Sequence, residues 1–92
     1  MTIVYDPGKN EKNIALRDIS FDQASEFDWS RALIVEDKRR DYREQRFQAF
    51  GFINERLHIL VFTPRGEDTH VISLRKANKR EVKRYETSKV QS

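Results

Sequence analysis

The sequence contains no cysteine, and this excludes a disulfide framework and any metal site built from thiolates. A chain without cysteine fits a reducing compartment, so we expect a cytoplasmic protein. No hydrophobic run approaches the length needed to cross a membrane, and we expect no signal peptide at the start of the chain. The sequence therefore predicts a protein that does not contact a membrane.

Three kinds of catalytic motif are also missing from the sequence. There is no spacing typical of metal ligands, no glycine-rich loop for phosphate and no nucleophilic triad. The sequence therefore predicts no bound metal and no cofactor. The absence of these motifs also makes metal catalysis the less favoured mechanism if the protein is an enzyme.

The 92 residues are about the size of one domain, and we expect residues 1–92 to fold as a unit with a frayed tail at 88–92. Hydrophobic residues make up 37% and charged residues 36%, which is typical of a soluble globular protein. The net charge of +3 arises at the end of the chain, where 7 residues from Arg75 onward are basic and 2 are acidic. Such a cluster favours a phosphate backbone, although a solvated helix face is the common alternative.

The hydrophobic pattern predicts an α+β fold. A mainly antiparallel sheet with a central three-strand meander packs against two N-terminal helices and one C-terminal helix. Asp6 followed by Pro7 is a typical helix start, and Ile14 and Leu16 are the predicted anchors of that helix. The run 57–63 is apolar on both faces apart from one histidine, so we expect it to be the central strand. In chain order the predicted elements are a strand at 2–5, helices at 7–17 and 21–27, strands at 32–35, 46–53, 57–63 and 69–75, turns at 54–55 and 64–67, and a helix from 78.

An apolar strand is predicted to run into a basic helix between residues 71 and 85. Strand alternation predicts Val71, Ser73 and Arg75 on one face, with Ile72 and Leu74 on the other. The helix begins with an Asn-x-x-Glu pattern that is typical of a capping box. Arginines, a carboxylate and a phenol are therefore predicted to meet at one solvent-accessible edge, which is the candidate working surface.

Five short pieces of the chain have an order and spacing that are specific in combination. They are Tyr5-Asp6-Pro7 with Lys9 and Asn13; Ile19-Ser20-Phe21 with Ala24; Asp41 with Glu44, Arg46 and Gly51; Val61-Phe62-Thr63 with Arg65; and Ile72-Ser73-Leu74-Arg75-Lys76-Ala77 with Arg80, Glu81 and Tyr85. Over nearly its whole length the chain resembles the BrnT toxins of bacterial type II toxin–antitoxin modules, whose fold is similar to that of the RelE-like ribonucleases. It departs from the family pattern at Arg17-Asp18, where members commonly have Lys-His-Gly, and at His70, where they often have arginine.

The resemblance implies an endoribonuclease that cleaves RNA without a metal ion, by attack of the ribose 2′-hydroxyl on the adjacent phosphate. It implies a toxin that inhibits translation and growth until an antitoxin neutralises it. The implied partner is a BrnA-like antitoxin, in a heterotetramer with two copies of each chain that binds its own operator DNA through the antitoxin.

This chemistry needs a base for the 2′ proton, cations for the charge on the phosphorane and an acid for the leaving oxygen. The residues predicted as catalytic are Arg65, Arg75, Arg80, Glu81 and Tyr85. The residues predicted to bind RNA are Lys9, Glu44, Arg46, His70, Lys76 and Arg84.

Structural roles are open alternatives for several of these residues. The capping box explains Glu81 equally well, a tyrosine on a terminal helix usually only packs, and Glu44 with Arg46 could form a surface ion pair of little energetic value. His58 is predicted to lie in the core or on the sheet face. A second function is open as well, because a non-catalytic module that docks nucleic acid or protein would use the same basic edge.

Overall fold

The structure, a computed structural model, describes residues 2–91. Its elements are β1 (Thr2–Tyr5), α1 (Pro7–Arg17), β2 (Leu33–Glu36), β3 (Phe47–Ile53), β4 (Arg56–Arg65), β5 (Asp68–Lys76) and α2 (Lys79–Gln91), with two 3₁₀ helices at Phe21–Glu26 and Trp29–Arg31. The predicted α+β class is confirmed. Helix α2 includes residues 88–91, for which the sequence predicts a frayed tail, and Ser92 lies outside the described residues. None of the described helices is both long and apolar enough to cross a membrane.

Strand β4 lies at the centre of a five-stranded sheet in the order β1-β5-β4-β3-β2, as its two-sided apolar pattern predicts. Leu60 and Phe62 pack into one buried cluster, the α1-side core, and Ile59 and Val61 pack into a second cluster, the α2-side core. The antiparallel run comprises four strands, β2 to β5, rather than the predicted three, because β2 pairs with β3 across the loop 37–46. Strand β1 pairs with β5 in parallel and makes the sheet mixed.

Helix α1 begins as predicted, with the Asp6 carboxylate accepting a hydrogen bond from the Gly8 amide at 3.2 Å. The predicted apolar anchors are wrong, because Ile14 is 41% exposed and Leu16 is 80% exposed. A buried polar residue holds the helix instead. The Asn13 side chain donates to the carbonyl oxygens of residues 19 and 74 at 2.9 and 2.8 Å, and accepts from the amide of residue 74.

The second predicted N-terminal helix is a 3₁₀ helix, Phe21–Glu26, and not an α-helix. A 3₁₀ helix has three residues per turn, so Phe21, Ala24 and Phe27 align on one side, and all three are buried. The Phe27 ring lies directly over Gly51 of β3, where an added Cβ would be 2.4 Å from the ring. The absence of a side chain at Gly51 therefore lets this segment pack closely on the sheet.

A β-bulge in β5 changes which residues share a face. Val61 pairs with Ser73, but Phe62 pairs with Val71, so Ile72 is an extra residue in β5. The predicted alternation is therefore wrong here: Val71 and Leu74 both pack into the α1-side core, and Ile72 packs against the α2-side core.

The bulge brings the two ends of β5 onto one face. His70 is the partner of Thr63 and Arg75 is the partner of Ile59, and these two β4 residues are four apart. Because alternate residues of a strand share a face, His70 and Arg75 both lie on the α2 side of the sheet. An unbulged strand would place them on opposite faces.

The turn between β4 and β5 is tighter than predicted. Strand β4 continues through Pro64 to Arg65, and the chain reverses at Gly66, whose φ of +60° suits a residue without a side chain. Arg65 therefore belongs to the end of a strand and not to a turn. This places its side chain on the same face as that of Thr63.

Candidate active site

A small pocket of about 70 Å³ lies at the Arg65 end of β4. Its walls come from the first turn of α1, the end of the loop 37–46, and the paired ends of β4 and β5. Five predicted site residues line it together, which are Lys9, Glu44, Arg46, Arg65 and His70. We call this site the Arg65 pocket.

Arg65 and Glu44 form a two-point ion pair in this pocket. Arg65 donates from Nε to Oε2 at 3.0 Å and from Nη2 to Oε1 at 2.7 Å. Glu44 therefore forms its ion pair with Arg65, and not with Arg46 as in the alternative that the sequence left open. Hydrogen bonds from Arg65 lower the pKa of Glu44, and the same bonds raise the pKa of Arg65. Glu44 is consequently an ionised carboxylate that fixes the plane of the guanidinium.

The second edge of the Arg65 guanidinium faces His70. Its Nη1 lies 3.5 Å from Nδ1 of His70. A guanidinium carries five N–H groups, and Glu44 accepts from two of them. The remaining N–H groups can hold a phosphate oxygen beside an imidazole, which is the arrangement that phosphoryl chemistry requires.

Arg46 supplies a further cation without a carboxylate partner. Its Nε is buried and has no hydrogen-bond partner among the described residues. Its guanidinium stacks on the Tyr42 ring, 4.1 Å from the ring centroid. After Arg65, the Arg46 charge also contributes to the lowered pKa of Glu44, but no carboxylate among the described residues forms an ion pair with it, so it stays available to an anion.

Hydrogen bonds hold the loop 37–46 over the sheet. Thr63, which is 1% exposed, donates from its hydroxyl to the carbonyl of Gln45 at 2.7 Å, and the Asp37 amide donates to the carbonyl of Arg46 at 2.7 Å. The Asp37 carboxylate accepts two bonds from Arg39 at 2.8 and 2.7 Å. These bonds lower the pKa of Asp37 to about 2.

A second group of predicted residues lies around the start of α2. Arg75 donates from both Nη atoms to the Glu81 carboxylate, each at 2.7 Å. Glu81 also accepts from the Asn78 amide at 2.9 Å, and the Asn78 side chain accepts from the Glu81 amide at 2.8 Å, which confirms the capping box. Arg75 lowers the pKa of Glu81 through these hydrogen bonds. The pair thus fastens the start of α2 to β5.

The two groups are neighbours on one face of the sheet. Their β4 partners, Thr63 and Ile59, are four residues apart, which corresponds to about 13 Å along the strand. Lys76, Arg80 and Arg84 are exposed near the second group, and the Arg84 guanidinium lies 5.1 Å from the Phe50 ring centroid.

Tyr85 is not on a solvent-accessible edge, and this part of the prediction is wrong. It is 7% exposed, and its hydroxyl donates to the carbonyl of Arg31 at 2.6 Å. Its ring packs edge-on against Phe52 because α2 lies across this end of the sheet. His58 is buried as predicted, and burial lowers its pKa.

A family model described as ribonuclease toxin, BrnT, of type II toxin-antitoxin system matches residues 5–81. The chain belongs to this BrnT family. The matched segment contains the whole Arg65 pocket together with Arg75, Arg80 and Glu81, whereas Arg84 and Tyr85 lie beyond it. A comparison with curated proteins gave no match. BrnT proteins are ribonuclease toxins of type II toxin–antitoxin systems, so family membership implies a cognate antitoxin as the partner of this chain.

The Arg65 pocket of this BrnT chain combines three cations with two carboxylates and one imidazole. Lys9, Arg46 and Arg65 can bind a phosphate and offset charge that develops on it, and His70 can exchange a proton. Within residues 2–91, no three His, Asp or Glu side chains are grouped in a way that could hold a metal ion.

Sequence reasoning missed the residues that support this BrnT pocket. Tyr42 stacks on Arg46, Thr63 and Gln45 hold the loop, and Arg39 fixes Asp37. The one available signal in the sequence was Thr63, because its hydroxyl follows five apolar residues in the run predicted to be the central strand.

Proposed function

We propose that this protein is the toxin of a type II module and an endoribonuclease that cleaves RNA without a metal ion, with the Arg65 pocket as its active site. The observation that carries this proposal is the orientation of Arg65. Glu44 accepts from two of its N–H groups, and Nη1 on the other edge lies 3.5 Å from Nδ1 of His70. A preorganised cation beside a proton-transfer group is what stabilises a phosphorane.

In the proposed reaction, Arg65, Arg46 and Lys9 bind the scissile phosphate. His70 takes the proton of the ribose 2′-hydroxyl as that oxygen bonds to phosphorus, and it returns the proton to the departing 5′-oxygen. The products are a 2′,3′-cyclic phosphate and a 5′-hydroxyl. Glu44 acts as a positioning residue, because its oxygens are occupied by Arg65 and its pKa is lowered.

The second group has a different proposed role. Arg75 and Glu81 hold α2 in place, and the exposed Arg80 and Arg84 bind RNA phosphates that flank the cleaved one. Lys76 is the partner of His58 and lies on the opposite face of the sheet, so it is not assigned to this track. The spacing of about 13 Å along β4 supports this assignment, because a single strand of RNA can span it on one face of the sheet. Tyr85 is proposed to support the fold and not to transfer a proton.

For the antitoxin we propose neutralisation by occlusion of the basic face, in a heterotetramer with two copies of each chain that binds operator DNA through the antitoxin. Family membership supports the partner, and charge supports the mode. Acidic or hydrogen-bonding antitoxin groups compete with phosphate for the same guanidinium groups.

The test is cleavage of RNA by purified protein in the presence of EDTA, with the ends of the products identified. We expect undiminished cleavage and products that carry a 2′,3′-cyclic phosphate and a 5′-hydroxyl. Cleavage abolished by EDTA, or products that carry a 5′-phosphate, would overturn the mechanism. RNA binding without any cleavage would favour the non-catalytic binding module.

A further inference from the structure

A second concavity lies beside the first half of α2, at the far end of β4 from the Arg65 pocket. Its volume is about 730 Å³, and its lining includes Arg56, Ala77, Lys79, Val82, Lys83 and Glu86. We call it the α2 groove. Arg56 begins β4 and Arg65 ends it, so the groove and the pocket are about 30 Å apart along the strand.

The α2 groove has an apolar floor and a cationic rim. Ala77 is buried and Val82 is half-buried, and both pack with the α2-side core. Around them stand Arg56, Lys79 and Lys83, whose aliphatic stems extend the apolar surface. Glu86 is the one carboxylate among the described lining residues.

This chemistry fits an acidic protein segment that inserts one apolar side chain. Cations around an apolar centre match the usual anatomy of a protein interface, in which charge steers the encounter and the core is desolvated. Single-stranded RNA fits less well, because its binding sites rely on aromatic stacking. Among the described residues that line the groove, none is aromatic.

We propose that the α2 groove binds an acidic segment of the cognate antitoxin, anchored by one apolar side chain. The identity of this partner rests on the proposed toxin function. Because the groove lies about 30 Å from the Arg65 pocket, a segment bound there does not cover the active site. Binding in the groove increases the affinity for the antitoxin and fixes its position on the toxin. Another part of the antitoxin reaches the Arg65 pocket.

The test is the double variant Lys79→Glu/Lys83→Glu, whose control is Lys12→Glu/Arg17→Glu on the exposed side of α1. The probe is the antitoxin purified from the co-expressed complex, titrated by calorimetry at low salt. We expect the groove variant to lose about tenfold or more in affinity, because like charges then face the acidic segment. The control should bind as the parent does, and RNA cleavage should be unchanged in both.

Unchanged antitoxin affinity in the groove variant would overturn the proposal. A loss of RNA binding with antitoxin affinity retained would also overturn it, because that result would assign the groove to RNA.

If the variant fails to fold, a second experiment places a photo-crosslinking amino acid at position 83 of the toxin in the toxin–antitoxin complex. A crosslink to an acidic antitoxin segment supports the proposal, and the absence of any crosslink to the antitoxin contradicts it. Failure of the parent protein to cleave RNA would reject the proposed function. The antitoxin affinities of the groove variant and its control would still test the proposed docking site.

Discussion

Arg65 and Glu44 form a two-point ion pair across 21 positions of sequence, with distances of 3.0 and 2.7 Å. The pair joins the end of the loop 37–46 to the end of the central strand. Because both side chains are partly exposed, its value lies in orientation more than in stability. It fixes one edge of the guanidinium and leaves the other beside His70.

Glu44→Gln should lower the single-turnover rate of RNA cleavage by about tenfold, because glutamine has a single acceptor oxygen and leaves Arg65 less well oriented. RNA affinity should not fall, since removal of a carboxylate cannot weaken the attraction for phosphate. The matched control is Asp28→Asn, which breaks an Arg–Asp pair of 2.7 Å outside the pocket. An unchanged rate would show that Glu44 does not position Arg65.

Tyr85→Phe should destabilise the fold by about 1 kcal/mol, because the buried Tyr85 side chain loses its hydrogen bond to the Arg31 carbonyl. The cleavage rate of the folded variant should be unchanged. Urea denaturation and single-turnover kinetics on the same preparation separate the two effects. A large loss of rate with normal stability would instead assign the phenol to proton transfer.

Gly51→Ala should destabilise the protein by about 1 to 3 kcal/mol, because the new methyl group overlaps the Phe27 ring. Gly8→Ala is the control, since its Cβ would meet its nearest neighbour at 3.7 Å, an ordinary contact. Adding Phe27→Leu should recover part of the loss at position 51. If denaturation shows no recovery in the double variant, the ring contact is not the cause.

Acid should weaken the protein through Asp37. Its pKa of about 2 lies below the ordinary value of 3.8 for an aspartate, so its contribution to stability is present above about pH 4 and is lost as the pH falls toward 2. We expect this contribution to be about 1 to 2 kcal/mol, because Asp37 is 1% exposed at its side chain but Arg39 is 64% exposed. Denaturation curves of Asp37→Asn should show lower stability at neutral pH and a flatter dependence between pH 5 and pH 2. The same slope as the parent would contradict this.

Local signals in the sequence were sufficient to predict much of the fold. The Asp6 cap, the Asn78 capping box and the two-sided apolar run of β4 each depend on residues within a few positions of one another, and each is confirmed. Features that depend on distant residues were missed. Asn13 holds α1 through hydrogen bonds to residue 74, and no local pattern reveals a buried amide of this kind.

Five of the predicted site residues line one pocket, but their arrangement could not be predicted from the sequence. Both groups of the candidate site lie on one face of the sheet because the bulge at Ile72 shifts the phase of β5, and this bulge depends on the pairing of β5 with β4. Tyr85 was misplaced because a charged helix suggests an exposed face, whereas Phe52 and the Arg31 carbonyl bury this side chain. Composition cannot show which carboxylate forms an ion pair with a given arginine.

The most direct measurement is the single-turnover rate of RNA cleavage by Arg65→Ala and Arg65→Lys with EDTA present. The control is Arg17→Ala, which removes an exposed arginine of α1. We predict that both Arg65 variants stay folded by circular dichroism and lose on the order of 100-fold or more in rate at saturating protein, because lysine cannot reproduce the guanidinium fork. The control should keep the parent rate. Parent-like cleavage by Arg65→Ala would contradict the assignment of the Arg65 pocket as the active site.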